Sequence, residues 1–181
     1  MRATVAIILA VLLTACAGSP DTIPRRHAYP RVATLDTAMV DVDSLPIHFS
    51  VNADAVVERP RPDWLDVRYP AFGATWHISF TSSDDLEEVK ANRMQRLLLN
   101  AGDRPFRRDE WLNPAGMDIL TFVAEGATTP LQFLATDNVS IVVSGALVFD
   151  DQQACANTDS ISPIINILEE DMLRSLQSLS L

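Results

Sequence analysis

Cysteine is scarce: the 181 residues hold two, Cys16 and Cys155. Two thiols build no disulfide framework, and neither lies in a CxxC or in any metal-ligand spacing. The three histidines, His27, His48 and His77, form no HExxH. The six glycines, at 18, 73, 102, 116, 126 and 145, make neither GxGxxG nor a phosphate loop, and no GxSxG elbow occurs. The motifs therefore nominate no catalytic residue, metal ligand or cofactor. Long apolar runs are missing too. The one such stretch, Ala3–Ala15, has 13 residues, where a membrane-spanning helix needs ~20. Basic charge is in deficit, with 14 Lys and Arg against 24 Asp and Glu, a net charge of −10. Such a surface repels phosphate backbones, so nucleic acid is not an expected partner.

What remains has globular composition: 48% hydrophobic, 21% charged, mean hydropathy +0.10. Its first residues read as an address. Met1-Arg2 is a short positive start, Ala3 to Leu12 is an apolar stretch, and Leu13-Thr14-Ala15-Cys16 places small residues before a cysteine. This is the pattern of a bacterial lipobox; the competing reading is an ordinary signal peptide or a short buried helix. The Cys16 thiol would take a diacylglycerol, cleavage would fall before it, and the new amine would receive an acyl chain such as palmitate. Residues 1–15 are thus a lipoprotein signal peptide, 16–33 a lipidated tether and 34–181 a single α+β domain. Cys155 is left alone in the mature chain. The domain then lies outside the cytoplasm, held to a membrane by acyl chains. Ala17 stands where an acidic retention residue would be, which favours the outer membrane.

Along the mature chain, Pro20, Pro24 and Pro30 extend the tether. Ile47, Phe49 and Val51 alternate with polar residues and share one strand face. Glu58 to Asp63, ERPRPD, reads as a turn-rich breaker. Trp64–Tyr69 and Ala74–Phe80 alternate cleanly about Pro70-Ala71-Phe72-Gly73 and predict a hairpin. Ser82-Ser83-Asp84-Asp85 caps a helix with Leu86, Val89, Arg93 and Leu97 as its inner stripe, closed near Gly102. Residues 103–116 read as a charged loop. Strands follow at Met117–Glu125, Pro130–Thr136 and Ser140–Phe149, with a tight turn at Thr136-Asp137-Asn138. A last helix starts with Ser162 as cap and Pro163 in the first position. Its apolar residues recur at Ile161, Ile165, Leu168, Met172, Leu176 and Leu179. The expected fold is α+β: a single antiparallel, curved sheet with helices packed on one face, the C-terminal helix among them.

Few residues invite a chemical role. His77 falls on the polar side of its strand. Asp84, Asp85, Glu87 and Glu88 suit the positive end of a helix dipole. Glu169-Glu170-Asp171 reads as a solvated helix face, and Cys155 has no cationic neighbour in sequence. In the 101–116 segment, Arg104, Arg107 and Arg108 surround Phe106 and Trp111. Arg and Trp are favoured at binding hot spots, so Phe106, Arg107, Arg108 and Trp111 are the candidate partner contacts.

Four stretches also carry a resemblance. They are Pro24-Arg25-Arg26-His27-Ala28-Tyr29-Pro30-Arg31, the hairpin from Trp64 to Phe80, the segment Gln132–Asp137 leading to Gly145–Phe149, and Ser162–Leu173. Together they resemble the gliding-motility lipoproteins of the GldD type. Ile141-Val142-Val143-Ser144 and residues 101–116 depart from that family's pattern. The resemblance implies a non-enzymatic accessory or scaffold of gliding motility and type 9 secretion, facing the periplasm and working with other envelope proteins. The rival is an envelope ligand-binding or hydrolytic lipoprotein with a pocket between sheet and helices. A dry pocket holding two or more titratable groups would favour the rival; a filled core would favour the scaffold.

Overall fold

A computed structural model describes residues 33–42, 47–150 and 158–181. The signal peptide, most of the tether, Cys16, His27 and Cys155 lie outside the described residues. The elements are β1 (Met39–Val42), β2 (Phe49–Asn52), β3 (Val56–Arg61), β4 (Trp64–Tyr69), β5 (Ala74–Ser82), α1 (Leu86–Ala101), β6 (Arg107–Leu112), β7 (Asp118–Val123), β8 (Leu131–Thr136), β9 (Ile141–Phe149) and α2 (Thr158–Ser178).

Pairing is antiparallel throughout, as expected, but there are two sheets rather than one. β1 and β2 form a two-stranded sheet, and the rest form a seven-stranded sheet ordered β3-β4-β5-β9-β8-β7-β6. The predicted hairpin forms, with Trp64 opposite Ser79 through Tyr69 opposite Ala74. Its turn is closed by Phe72 N–H donating to Tyr69 O, with Gly73 at φ 56°, a conformation that costs glycine little.

The helices do not share a face. In α1, Leu86 and Leu97 pack on Leu120, Phe122, Leu134 and Val142. In α2, Ile161, Ile165, Leu168, Met172 and Leu176 pack with Ile119, Phe133 and Val143. Val142 and Val143 are neighbours, as are Phe133 and Leu134, so the two clusters lie on opposite faces. The physical reason is in the strands. β7, β8 and β9 carry apolar side chains at both parities, and such strands need cover on both sides. The predicted stripe of α2 is buried throughout. It shares one core with the seven-stranded sheet and with Ile47, Phe49 and Val51, the last two from β2.

Three boundaries differ from the sequence reading. Glu58–Asp63 is mostly strand: β3 runs to Arg61 with a register shift between Glu58 and Arg61. Pro60 is tolerated because β3 is an edge. Residues 103–116 are not all loop, since 107–112 form β6, the other edge. Pro163 lies inside α2, which begins at Thr158, so Ser162 is not its cap. The α1 caps stand as expected: Asp85 Oδ1 accepts from Glu88 N–H at 3.1 Å, and Gly102 N–H donates to Leu98 O and Leu99 O.

Candidate functional site

The four candidate contact residues lie together along the β6 edge. Arg107, Asp109 and Trp111 stand opposite Val123, Thr121 and Ile119, on the α2 side of the sheet. Arg108 and Glu110 stand opposite Phe122 and Leu120, on the α1 side. Arg107 Nε meets Asp109 Oδ2 at 2.9 Å, and its Nη2 bonds Glu169 of α2. Arg108 Nη2 meets Glu110 Oε2 at 3.0 Å. The Phe106 ring packs beside Phe122, with centroids 5.5 Å apart, yet Phe106 stays 42% exposed. Leu112 is 67% exposed. Trp111 is half-buried against the main core. Among the described residues β6 pairs on one side only, so its other side keeps backbone groups that no described strand ladders. Sequence pattern hides this strand because its charges fall on both faces, and alternation is what identifies a half-buried strand.

Asp171, expected on a solvated face, is fully buried. Tyr69 Oη donates to its Oδ2 at 2.6 Å; Asn52 Nδ2 and Arg174 Nη2 donate to Oδ1 at 3.0 and 3.1 Å. Burial, then the negative Asp171, pushes the Tyr69 hydroxyl far above its ordinary range. The available signal is position: Asp171 falls three residues after Leu168, at the margin of the apolar stripe. Glu170 is solvated, as expected.

The space between sheet and α2 is small, about 30 Å³, and lined mainly by apolar side chains, with Tyr69 its titratable member. Trp76 Nε1 is buried without an acceptor among the described residues. On the α1 side, a cleft of about 190 Å³ is lined by Trp64, His77, Ser79, Arg93, Arg96, Gln132 and Ser144 among others. His77 Nδ1 lies 2.7 Å from Asp66 Oδ1, which also accepts from Trp64 Nε1 at 2.6 Å. Ser79 and Ser144 hydroxyls are 3.0 Å apart. Gln132 is buried, accepting from Asn100 and donating to Leu97 O. Arg93 donates to Thr81 Oγ1, and burial with Arg96 nearby lowers its pKa against the pull of Asp63.

No cluster of three or more His, Cys, Asp or Glu able to hold a metal occurs among the described residues. No helix among them is long and apolar enough to cross a membrane. A family model described as gliding motility lipoprotein GldD matches residues 19–181. No curated protein matches the chain.

Proposed function

The chain belongs to the gliding motility lipoprotein GldD family, and on that premise we propose a non-enzymatic accessory factor, lipidated at Cys16, that scaffolds the machinery of gliding motility and type 9 secretion. Membership carries a part in gliding motility and a lipid-anchored place in the cell envelope. In this reading the domain faces the periplasm, from the outer membrane. Acyl chains confine it to a layer, where confinement raises its effective concentration near membrane-bound partners. Other envelope proteins dock on the β6 edge around Phe106, Arg107, Arg108 and Trp111. The observation that carries the reading is that edge: half-paired backbone beside exposed apolar and charged side chains. Asp171 fits the same view, since its oxygens are engaged by Tyr69, Asn52 and Arg174 in holding layers together.

The test is complementation of a deletion strain, scored by colony spreading and secreted protein, with abundance checked by immunoblot. His48→Ala, His77→Ala, Asp137→Ala, Cys155→Ala and Glu170→Ala should each support both outputs. A chemical step would lose orders of magnitude with its acid, base or nucleophile. One abundant single variant that abolishes both outputs refutes the scaffold reading. Reversing Arg107 and Arg108 together should weaken both outputs, because inverted rim charges repel a partner.

A second reading has its own support in the α1 cleft, where Arg93 and Arg96 overlook a hydroxyl-lined floor. A small anionic ligand would suit those guanidiniums. Arg93→Gln with Arg96→Gln should abolish both outputs under that reading and spare them under the first.

A further inference from the structure

The β6 edge is complementary to itself, and from this we propose that two copies of the chain pair antiparallel through β6, joining their seven-stranded sheets. This adds a second copy of the chain to the envelope proteins that meet the edge proposed above, and rests on that reading of the edge.

A two-fold axis through the sheet keeps each face of one copy level with the same face of the other. Directly opposed residues must then share a face, as they do in any antiparallel ladder. With the axis at Asp109, Arg108 faces Glu110 of the second copy, and Glu110 faces its Arg108. Phe106 faces Leu112, and Leu112 faces Phe106. All of these lie on the α1 side: Arg108 and Glu110 oppose Phe122 and Leu120, and Phe106 packs on Phe122. One register thus yields two ion pairs and covers the two most exposed apolar side chains of the segment, Phe106 and Leu112. On the α2 side, Arg107 faces Trp111, an arrangement suited to cation–π contact. Asp109 meets its own copy, but each carboxylate already holds Arg107 Nε at 2.9 Å. Moving the axis to Arg108 opposes Arg108 to itself and Phe106 to Glu110. An axis at Glu110 opposes Arg108 to Leu112. Neither makes the four matches.

Edge charges ordinarily keep strands apart. Here they carry both signs, and Arg108 and Glu110, paired within each copy at 3.0 Å, are ordered so that the same pairing can be exchanged between two copies. Backbone bonds then supply affinity and the side chains supply register. A lipid anchor favours the pairing by confining both copies to one layer.

The test uses full-length protein in native envelopes, with two epitope-tagged copies co-expressed. Wild type should capture wild type. Arg108→Glu should capture itself, and Glu110→Arg itself, roughly tenfold less or worse, because each homodimer opposes like charges twice. Arg108→Glu mixed with Glu110→Arg should recover capture. In that mixture the introduced glutamate meets the introduced arginine, and the unchanged Glu110 of one copy meets the unchanged Arg108 of the other. Two misfolded variants would not rescue each other. In a Cys155→Ser background, Asp109→Cys should give disulfide dimers on mild oxidation, as cross-strand Cα separations of ~4.5–5.5 Å suit that bond. Arg61→Cys on the opposite edge should not. Absent wild-type capture, indifference to either reversal, or failure of the mixture to recover refutes the dimer. Motility lost on reversing Arg107 and Arg108, without any capture between copies, refutes the dimer and keeps the contact surface. Capture as expected with motility unaffected keeps the dimer and refutes that surface's role.

Discussion

Tyr69 Oη lies 2.6 Å from Asp171 Oδ2, joining the seven-stranded sheet to the C-terminal helix through a carboxylate with no exposed surface. Asn52 ties the smaller sheet to the same group at 3.0 Å, and Arg174 supplies the charge. Removing the carboxylate leaves the buried Tyr69 hydroxyl and one Asn52 amide N–H unpaired, at ~1–3 kcal/mol each, while the partly exposed Arg174 can turn to water. Asp171→Ala should therefore lose about the sum of those two costs in denaturant unfolding. Tyr69→Phe should lose ~1.5–3 kcal/mol, the range for a hydrogen bond to a charged group. The double variant should lose less than the sum, because both act on one contact.

The same pair gives a pH dependence. Tyr69 holds its proton far more tightly folded than unfolded. Its contribution is fully present below the unfolded tyrosine value of ~10 and declines as pH rises above it. Above that value, wild type should lose stability with pH more steeply than Tyr69→Phe. In ultraviolet titration, Tyr69 should ionise only as the domain unfolds.

Asp137 titrates with the opposite sign. Burial alone would raise its pKa, but backbone N–H groups of Val139, Ile141 and Ser140 converge on Oδ1 and hold the carboxyl below its ordinary value. Its contribution is present above the unfolded aspartate value of ~3.9 and is lost as pH falls through the folded one. Asp137→Asn should flatten the acid limb of the stability curve below ~pH 4. An unchanged slope would remove this turn from the account.

Gly145 sits beneath the edge of the Phe133 ring, where an added methyl would overlap it. Phe133 is buried, its centroid 5.8 Å from that of Trp76, so it has little room to yield. Gly145→Ala should cost ~1–3 kcal/mol by overpacking. The nearby Ser144→Ala, on the other face, should stay within ~1.5 kcal/mol, the net worth of one hydrogen bond.

Much of this fold is legible in the sequence where period and punctuation agree. The Trp64–Phe80 hairpin, the Asp85 and Gly102 caps and the α2 stripe all have that agreement. What is illegible depends on neighbours. β6 has no alternation of its own and exists through pairing with β7. Asp171 looks solvated beside Glu169 and Glu170 until Tyr69 and Asn52 arrive from distant chain. The two-faced covering is implied by ILTFV in β7, but which helix covers which face is a tertiary choice.

Helix α2 packs in one core with residues of both sheets, and its removal should be felt by both. Ile165, Leu168, Met172 and Leu176 are each at most 3% exposed, and Asn113 Nδ2 donates to Leu176 O and Leu179 O at the helix end. His48 and Ser180 exchange backbone hydrogen bonds just beyond it, both at 2.8 Å. Each large buried side chain is worth ~2–5 kcal/mol, against a total of ~5–15 for a domain. Deleting residues 163–181 should therefore abolish cooperative unfolding, and Leu168→Ala alone should lower stability by ~2–5 kcal/mol. Asn113→Ala should cost less, because the helix end can turn to water once its cap is gone, and it should loosen the 113–117 turn first. Amide exchange would resolve the order: Met117 N–H, which donates to Asn113 Oδ1 at 2.9 Å, should exchange faster in Asn113→Ala while the β4–β5 amides stay protected. A truncated chain that melts as sharply as wild type would show that the two sheets cohere without the helix.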